Sequence, residues 1–421
     1  MSGDHITPRR RVLYLVSHPI QYQVPLLRAI SETDDLDLEV AFCSDFSLRA
    51  YRDPGFGRDL EWDVDLTSGY RWRVLPTIGA DGPLTFWRPW NRGVWQALRN
   101  GRYDAVWLHG YANATLLRAL FYARVARIPV LLRSESRPHD GRSWRSRLGG
   151  AFRRLLYRRV DGFLAIGEHN RANYLAYGAR PDRIFSVPYA VDNEFFASHG
   201  ALADDERRAL AEELGLDPDR PVILYASKLQ QRKRPVDLLE AYKRLAGPGG
   251  REPVPYLLFV GDGEERERLE SLAAATGWDS IRFLGFRNQQ ELPSLYALAT
   301  VFVLPSEREP WGLVVNEVMA TGKPVIVTDD VGCAPDLVHD GENGFVVRVG
   351  DVPRLAESLE AICARPDLAR RMGQASRRII ERHDYHADVE GIREAVHAVV
   401  AARDRSGAAD RDRVRRISAG G

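Results

Sequence analysis

Apolar residues along this chain fall into two patterns, short continuous runs and stretches with helical spacing. Short continuous apolar runs are typical of strands in parallel sheets that are covered on both faces. The pattern predicts thirteen such strands, at Arg11–Ser17, Leu38–Cys43, Arg71–Leu75, Ala105–Leu108, Val130–Arg133, Gly162–Ile166, Ile184–Val187, Pro221–Ala226, Tyr256–Val260, Ile281–Leu284, Val301–Leu304, Val325–Thr328 and Gly344–Val347.

Helical spacing fills most of the intervals between these strands. It predicts helices at Val24–Ser31, Ala114–Arg127, Ser146–Val160, His169–Tyr177, Pro235–Ala246, Glu264–Thr276, Glu291–Ala299, Gly312–Ala320 and Val352–Ala364. Alternation of strands and helices indicates an α/β protein with parallel sheets. Because the alternation occurs in both halves, we expect two doubly wound, Rossmann-like domains.

At 421 residues the chain is too long for one ordinary core. We place an N-terminal domain at 1–190 and a C-terminal domain at 191–380. We expect residues 381–403 to form a helix that returns to the first domain. Residues 404–421, with few large apolar side chains, should be disordered, and the segment Ala197–Asp205 should be irregular.

Bulk composition excludes several classes of protein. The formal net charge of +1 does not indicate a nucleic-acid partner. The three cysteines Cys43, Cys333 and Cys363 have neither paired nor metal-type spacing. No apolar run is long enough to cross a membrane. We expect a cytoplasmic protein that is at most peripheral to the inner face of the membrane.

The most informative motif carries two glutamates, Glu309 and Glu317, with seven residues between them. Glu309 follows a predicted strand, and Glu317 lies in the helix that comes next. In an open α/β sheet, ligands bind at the carboxyl ends of the strands. Carboxylates accept hydrogen bonds from hydroxyls, and helix N-termini bind phosphate, so the pair suits a phosphorylated polyol.

Three weaker features lie in the same half of the chain. Lys228 and Lys233 flank a short loop after a strand and are suited to converge on a diphosphate, although a solvated basic loop has the same pattern. Gly261 and Gly263 form a Gly-Asp-Gly turn that either admits a ligand or is an ordinary βα turn. Phe286 ends an aromatic corner that either stacks a base or packs in the core.

The order of these motifs resembles that of the family 4 retaining nucleotide-sugar glycosyltransferases. It reads Lys-x4-Lys, Gly-Asp-Gly, Phe-Leu-Gly, Pro-Ser with Glu-x7-Glu, and Ala-x-Gly-x-Pro-Val, over Val222 to Val347. Ser17 to Pro25 looks like the first βα loop of bacterial members. The resemblance implies the GT-B fold, in which two Rossmann-like domains face across a cleft. It also implies that 1–190 is the acceptor-side domain and that 191–380 is the nucleotide-sugar-binding domain.

The resemblance implies a role for each motif residue. Lys228 and Lys233 would hold the donor diphosphate, Glu317 the ribose hydroxyls, and Glu309 the transferred sugar near its reacting face. The backbone amides of Trp311, Gly312 and Leu313 would meet the sugar and phosphate. No metal cofactor is expected, because lysines and helix amides supply the positive charge. Scattered Asp-x-Asp patterns, a metal signature of another glycosyltransferase fold, are set aside on topology.

The first half departs from the family at one point. Many members carry a histidine after the strand that here ends at Arg133, and this chain has Glu135 near that place. Glu135 either contacts the sugar or acceptor hydroxyl or is a surface charge, and His109 is the other catalytic candidate or a structural hydrogen-bonding residue. His18 and Gln21 lie in the first βα loop, where we expect at least one donor contact.

The segment 142–159 combines seven arginines with Trp144, Leu148, Phe152, Leu155, Leu156 and Tyr157. Helical spacing gives an apolar stripe beside an arginine-rich face. That pattern is typical of a helix lying on an anionic membrane, or of a surface helix that packs its stripe on the domain.

These features indicate a retaining glycosyltransferase. It would move a hexose-type sugar from a nucleotide diphosphate donor to a hydroxyl of a glycan, a lipid-linked glycan or a small molecule. The alternatives are a nucleotide-sugar epimerase or hydrolase of the same fold and a non-catalytic sugar-nucleotide-binding subunit.

Overall fold

The computed structural model describes residues 9–53, 58–60, 64–78, 84–136, 144–247 and 253–419. The chain forms two compact units. The first comprises Met1–Arg49, Val64–Pro188 and Tyr385–Gly421, and the second comprises Ala50–Asp63 and Tyr189–Asp384. The main division at Pro188 and Tyr189 lies two residues before the boundary expected from sequence.

The strands are short and lie mostly between helices. They are β1 (Arg10–Val16), β2 (Leu36–Phe42), β3 (Tyr51–Asp53), β4 (Arg58–Leu60), β5 (Arg71–Val74), β6 (Thr77–Ile78), β7 (Trp90–Asn91), β8 (Ala105–His109), β9 (Val130–Arg133), β10 (Gly162–Ala165), β11 (Ile184–Ser186), β12 (Val222–Ala226), β13 (Tyr256–Val260), β14 (Ile281–Gly285), β15 (Val301–Leu304), β16 (Val325–Thr328) and β17 (Gly344–Val347).

The helices connect these strands and close the chain. They are α1 (Val24–Ser31), α2 (Val94–Gly101), α3 (Ala114–Val125), α4 (Trp144–Tyr157), α5 (Glu168–Ala176), α6 (Asn193–His199), α7 (Asp204–Glu213), α8 (Pro235–Ala246), α9 (Arg266–Ala274), α10 (Leu292–Leu298), α11 (Leu313–Ala320), α12 (Ala334–Leu337), α13 (Val352–Cys363), α14 (Pro366–Ile380) and α15 (Tyr385–Ala419).

The first unit is built on a seven-stranded sheet in the order β11-β10-β9-β8-β1-β2-β5. Its strand pairs are all parallel, with Tyr14 of β1 opposite Val40 on one side and Trp107 on the other. One large core, which includes Leu13, Val106 and residues of α2, α3 and α5, covers the sheet. The strand order changes direction at β1 and β8, which is where ligands bind in doubly wound sheets.

The second unit has a six-stranded parallel sheet in the order β14-β13-β12-β15-β16-β17. Each central strand is buried along its whole length, as its continuous apolar sequence predicts. The order reverses between β12 and β15, so the carboxyl ends of these neighbours mark the expected ligand position. Two Rossmann-like domains are therefore confirmed.

Several elements were not predicted from the sequence. The short strands β3, β4, β6 and β7 were missed, as were the helices α2, α6, α7, α12 and α14. The expectation of irregular structure at 197–205 was correct only for residues 200–203, since α6 covers 193–199 and α7 begins at Asp204. Local capping accounts for α6, because the Asp192 side chain accepts a 2.8 Å hydrogen bond from the N–H of Phe195.

Helix α15 belongs to the first unit and is held there by buried charges. Asp388 lies 3.3 Å from the guanidinium of Arg133, and both side chains are almost completely buried. Further along α15, Arg393 and His397 both bind Asp35. The helix continues through Ala419, over the segment expected to be disordered. Its many alanines and arginines have high helix propensity.

We expect Asp388→Ala to lower the free energy of unfolding of the first unit by about 3–5 kcal/mol, because the Arg133 charge would be left buried without its carboxylate. The measurement is urea unfolding followed by circular dichroism. Asp367→Ala is the control: its pair with Arg371 is exposed, so the loss should stay below about 0.5 kcal/mol. Similar losses for the two variants would contradict this assignment.

Candidate functional site

The central contact of the second unit joins Lys233 to Glu309. Glu309 follows β15 and is 8% exposed, while Lys233 ends a short 3-10 turn after β12 and is 7% exposed. Their charged groups form a direct ion pair, and Arg232 approaches the same carboxylate at 3.4 Å. Burial lowers the pKa of Lys233, while the charge of Glu309 acts in the opposite direction.

The backbone around Glu309 fixes its position. Its N–H donates to the carbonyl of Asp330 at 3.2 Å, and its carbonyl accepts from the N–H of Gly332 at 2.9 Å. The preceding residue, Arg308, has a φ of 54°, which is uncommon for a residue with a side chain. The N–H of Arg308 donates to the Asp330 carboxylate at 2.7 Å, which holds this conformation.

Lys228 lies on the same loop as Lys233. Its carbonyl accepts hydrogen bonds from the Tyr225 hydroxyl and from the N–H of Gln230, each at 2.9 Å. The charge of Lys228 contributes to lowering the pKa of Lys233, so the two ammonium groups are close enough to interact. The loop therefore brings two cations to the carboxyl end of β12.

Gly261 and Gly263 position this lysine loop through direct backbone contact. A Cβ on Gly261 would lie 2.1 Å from the carbonyl oxygen of Ser227, and one on Gly263 would lie 2.6 Å from that of Leu229. Their φ values of 134° and 150° also favour glycine. The structure thus assigns a packing role to both glycines, whichever ligand the neighbouring loop binds.

Trp311, Gly312 and Leu313 form the entry to α11. Gly312 has a φ of 95°, and its Cβ position lies 3.1 Å from side chains of Leu304 and Val331. The Trp311 side chain is buried and donates to Asn316 at 2.9 Å. Leu313 is the first residue of the helix, whose N-terminal N–H groups carry partial positive charge.

Glu317 lies on α11 and is partly exposed. The hydroxyl of Tyr296 donates to its carboxylate at 2.6 Å. Desolvation of the carboxyl raises the pKa of Glu317 to about 7, although the bond from Tyr296 acts in the opposite direction. This carboxyl therefore changes its charge near neutral pH.

Two phenylalanines at the end of β14 differ in their surroundings. Phe283 stacks on the buried Phe259 at 5.1 Å between ring centroids, which is core packing. Phe286, which follows the end of the strand, remains partly exposed.

In the first unit, His109 ends β8 and is hydrogen-bonded to Tyr14 at 2.7 Å. Burial raises the pKa of Tyr14, so its hydroxyl keeps its proton. Burial, assisted by the Arg133 charge, lowers the pKa of His109 to about 3, so the imidazole ring is neutral.

The other first-unit candidates lie around the carboxyl end of β1. The Tyr22 hydroxyl donates to Glu135 at 3.1 Å, and the charge of Glu135 reaches Tyr14. His18 contacts the Ser17 hydroxyl at 2.8 Å, and burial lowers its pKa to about 4. The side-chain oxygen of Gln21 is buried and finds no hydrogen-bond partner among the described residues.

Comparison with protein families decides what this architecture is. The model for glycosyl transferases group 1 matches residues 206–379, and the model for the glycosyl transferase 4-like domain matches residues 26–190. The chain belongs to the family 4 glycosyltransferases. The two matched ranges follow the two Rossmann-like units.

Curated relatives of this glycosyltransferase carry diverse names. It is 31% identical to a D-inositol 3-phosphate glycosyltransferase of Streptomyces bingchenggensis over 310 residues, which are 69% of this chain and 65% of that protein. It is 32% identical to an α-D-kanosaminyltransferase of Streptomyces kanamyceticus over 46% of this chain and 48% of that protein. These two alignments thus cover less than two thirds of the length of each of the two relatives. The putative glycosyltransferase EpsD of Bacillus subtilis is 27% identical, over 84% of this chain and 94% of that protein.

Solved structures with the same fold include those of GT-B glycosyltransferases. Anabaena Alr3699/HepE in complex with UDP and glucose has a TM-score of 0.66 and 18% identity, over 92% of this chain and all of that chain. Sucrose-phosphate synthase of Thermosynechococcus elongatus has a TM-score of 0.69 and 21% identity, over 94% of this chain and all of that chain. The likeness at this identity establishes the GT-B fold.

The described residues contain neither a metal-binding cluster nor a membrane-spanning helix. No group of three or more histidine, cysteine, aspartate or glutamate side chains there is arranged to hold a metal ion. No helix in the described part of the glycosyltransferase is both long and apolar enough to span a bilayer.

Sequence reasoning missed the residues that support the motif side chains. Tyr296 binds Glu317, and Tyr14 binds His109. Asn316 links the Trp311 side chain to the carbonyl of Tyr189 at 2.9 Å on each side. Tyr296 and Tyr14 stand in no recognisable motif, and Asn316 occupies an unspecified position between Glu309 and Glu317. Only their position next to a functional group identifies them.

We expect Gly261→Ala to destabilise the glycosyltransferase by about 3 kcal/mol or more, because the new methyl group would overlap the Ser227 carbonyl and the left-handed φ would be strained. Gly277→Ala is the matched control: it also has a positive φ, of 71°, but no atom within 4 Å of its Cβ position. It should cost about 1 kcal/mol. Chemical unfolding measures both, and equal costs would argue against the close backbone approach.

Proposed function

We propose that this protein is a retaining glycosyltransferase that moves a hexose-type sugar from a nucleotide diphosphate donor to a hydroxyl. The acceptor class is a glycan, a lipid-linked glycan or a small molecule. The observation that carries the proposal is the clustering of two lysines, two carboxylates and a helix N-terminus at one end of the second unit's sheet. Each group in the cluster matches one chemical part of a nucleotide sugar.

The proposed roles follow from charge and hydrogen-bonding capacity. Lys228 and Lys233 bind the diphosphate, as cations that stabilise the charge growing on a leaving group. Glu317 accepts hydrogen bonds from the ribose hydroxyls, and Glu309 accepts them from the transferred sugar. The amides at the start of α11 face the phosphate and sugar, and Phe286 is available to stack on the base.

The proposed reaction exchanges one bond at the anomeric carbon for another. The bond from that carbon to the diphosphate oxygen breaks, and a bond to the acceptor oxygen forms on the same face of the sugar. The acceptor's proton passes to the departing phosphate oxygen. We propose His109 and Glu135 as side chains that contact the transferred sugar or the acceptor, and His18 and Gln21 as further donor contacts.

The names of similar proteins support the donor class and leave the acceptor open. HepE was crystallised with UDP and with UDP-glucose. Relatives are named for transfer to D-inositol 3-phosphate and for lipopolysaccharide core biosynthesis. A protein that works from the cytoplasmic side on a lipid-linked or soluble acceptor is consistent with both names.

The direct test incubates the purified full chain with a panel of nucleotide sugars and a membrane extract, and identifies products by mass spectrometry. We expect a glycosylated product with one donor, and at least a hundredfold less of it in the same time with the Glu309→Gln variant. Donor binding without turnover would favour a binding subunit. Free nucleotide with an altered free sugar, in the absence of acceptor, would favour an epimerase or hydrolase.

The two glutamates should differ in their effects. We expect Glu317→Gln to weaken nucleotide binding about tenfold or more, through lost charge-assisted bonds to the ribose. Glu309→Gln should slow transfer at least a hundredfold but leave nucleoside diphosphate binding at least as tight, because it removes an anion that faces Lys233. Calorimetry and initial rates measure the two quantities. Equal loss of nucleotide affinity in both variants would contradict the assignment.

The raised pKa of Glu317 predicts a pH dependence. The ionised carboxylate is the better acceptor for ribose hydroxyls, and below a pKa of about 7 the ionised fraction falls. The dissociation constant for a nucleotide sugar, whose phosphates do not titrate near neutrality, should therefore be about tenfold higher at pH 6 than at pH 8. In the Glu317→Gln variant the dissociation constant should no longer depend on pH. If the pH dependence persists in that variant, the titrating group is another residue.

A further inference from the structure

The exposed large apolar side chains are distributed unevenly. Among the described residues, all ten belong to the first unit, between Trp72 and Leu175, and five of them lie on α3 and α4. These five are Phe121, Val125, Leu148, Phe152 and Leu155, each between 46% and 63% exposed. Patches of this kind on a soluble fold mark interaction sites.

On α4 the exposed apolar residues form one stripe. Leu148, Phe152 and Leu155 are spaced by four and three residues, so they fall within about 60° of one another around the helix. The opposite side carries Gly150 and Tyr157, which are buried against the core. The helix therefore turns its apolar stripe outward, and packing of the stripe on the domain is excluded.

A second row, on α4 and the turn directly after it, is cationic. Arg147, Arg154 and Arg158 are exposed, and their spacing of seven and four residues places them about 100° from the apolar stripe. Residues 141–160 contain seven arginines and neither aspartate nor glutamate, in a chain whose total charge is nearly balanced. Long arginine side chains keep their charge in the headgroup layer while their stems cover apolar surface.

Helix α3 extends the same surface. It connects β8 to β9 and α4 connects β9 to β10, and right-handed crossovers place both on one face of the sheet. Arg124 near the end of α3 binds Asp161 just beyond α4 at 3.0 Å. Phe121 and Val125, four residues apart, give α3 an exposed apolar row of its own.

We propose that this α3–α4 surface, defined by Phe121, Val125, Leu148, Phe152, Leu155 and the arginine row, lies on an anionic lipid bilayer. Charge decides the occupant: a second copy of the chain would place two arginine-rich faces against each other, which is unfavourable. Phospholipid headgroups supply the matching negative charge, at about 1 kcal/mol per arginine. In this arrangement α3 and α4 lie along the bilayer surface and do not cross it.

The test is sedimentation of the full chain with vesicles. We expect binding to vesicles of phosphatidylcholine with phosphatidylglycerol, weakened by salt, and little binding to phosphatidylcholine alone. The triple variant Arg147→Gln, Arg154→Gln, Arg158→Gln should bind ten- to hundredfold more weakly. The double variant Phe152→Ser, Leu155→Ser should bind these vesicles about tenfold more weakly than the native chain.

The matched control is Arg365→Gln, Arg370→Gln, Arg371→Gln, which removes the same charge from exposed arginines around α14 and should bind like the native chain. Thermal melting of each variant establishes that the fold is kept. Absence of binding by the native chain, equal loss in both triple variants, or a dimer that Phe152→Ser, Leu155→Ser dissociates would overturn the proposal. Vesicle binding needs no donor or acceptor, so its failure is separate from failure of the transferase function.

Discussion

The geometry of the second unit depends on the burial of one ion pair, that of Lys233 and Glu309. A charge removed from water without a partner costs several kcal/mol, so each of these groups holds the other in place. Lys233 follows β12 and Glu309 follows β15, and these strands are neighbours in the sheet. The pair therefore ties together two loops at the point where the strand order reverses. On the far side of β12, the close approach of Gly261 to Ser227 ties in the loop after β13.

The same constraint acts in the first unit, where Arg133 and Asp388 are buried together. Arg133 ends β9 and Asp388 opens α15, so a helix from the far end of the sequence is held on a sheet built from its beginning. Gly391 permits the contact, because a Cβ there would lie 2.0 Å from the carbonyl of Ser186. Next to Arg133 in the sheet stands His109, and the arginine's charge helps to keep the histidine neutral.

The sheets could be predicted from the sequence because most of their strands, such as β12, β13, β15 and β16, are short continuous apolar runs. Helices such as α6 and α7 could not, since capping by Asp192 and an acidic first turn outweigh weak apolar periodicity there. At the site, the Glu-x7-Glu motif identified both carboxylates. The protonation state of Glu317, however, depends on residues elsewhere in the sequence. Tyr296 sits 21 positions before Glu317, and nothing in the spacing of the motif indicates that desolvation moves this carboxyl's pKa to neutrality.

The orientation of α4 shows a further limit of periodicity. Spacing alone establishes that Leu148, Phe152 and Leu155 share a face, but the same spacing describes a buried stripe equally well. The residues on the opposite side of α4 decide between an exposed and a buried stripe. There Gly150 lets Tyr177 approach to within 3.2 Å of its Cβ position, and Tyr157 packs in the core. Because these side chains are about half exposed, turning the stripe outward forgoes roughly 1 kcal/mol of burial for each of them. A surface that covers the stripe restores that free energy, and a bilayer does so while also satisfying the arginines beside it.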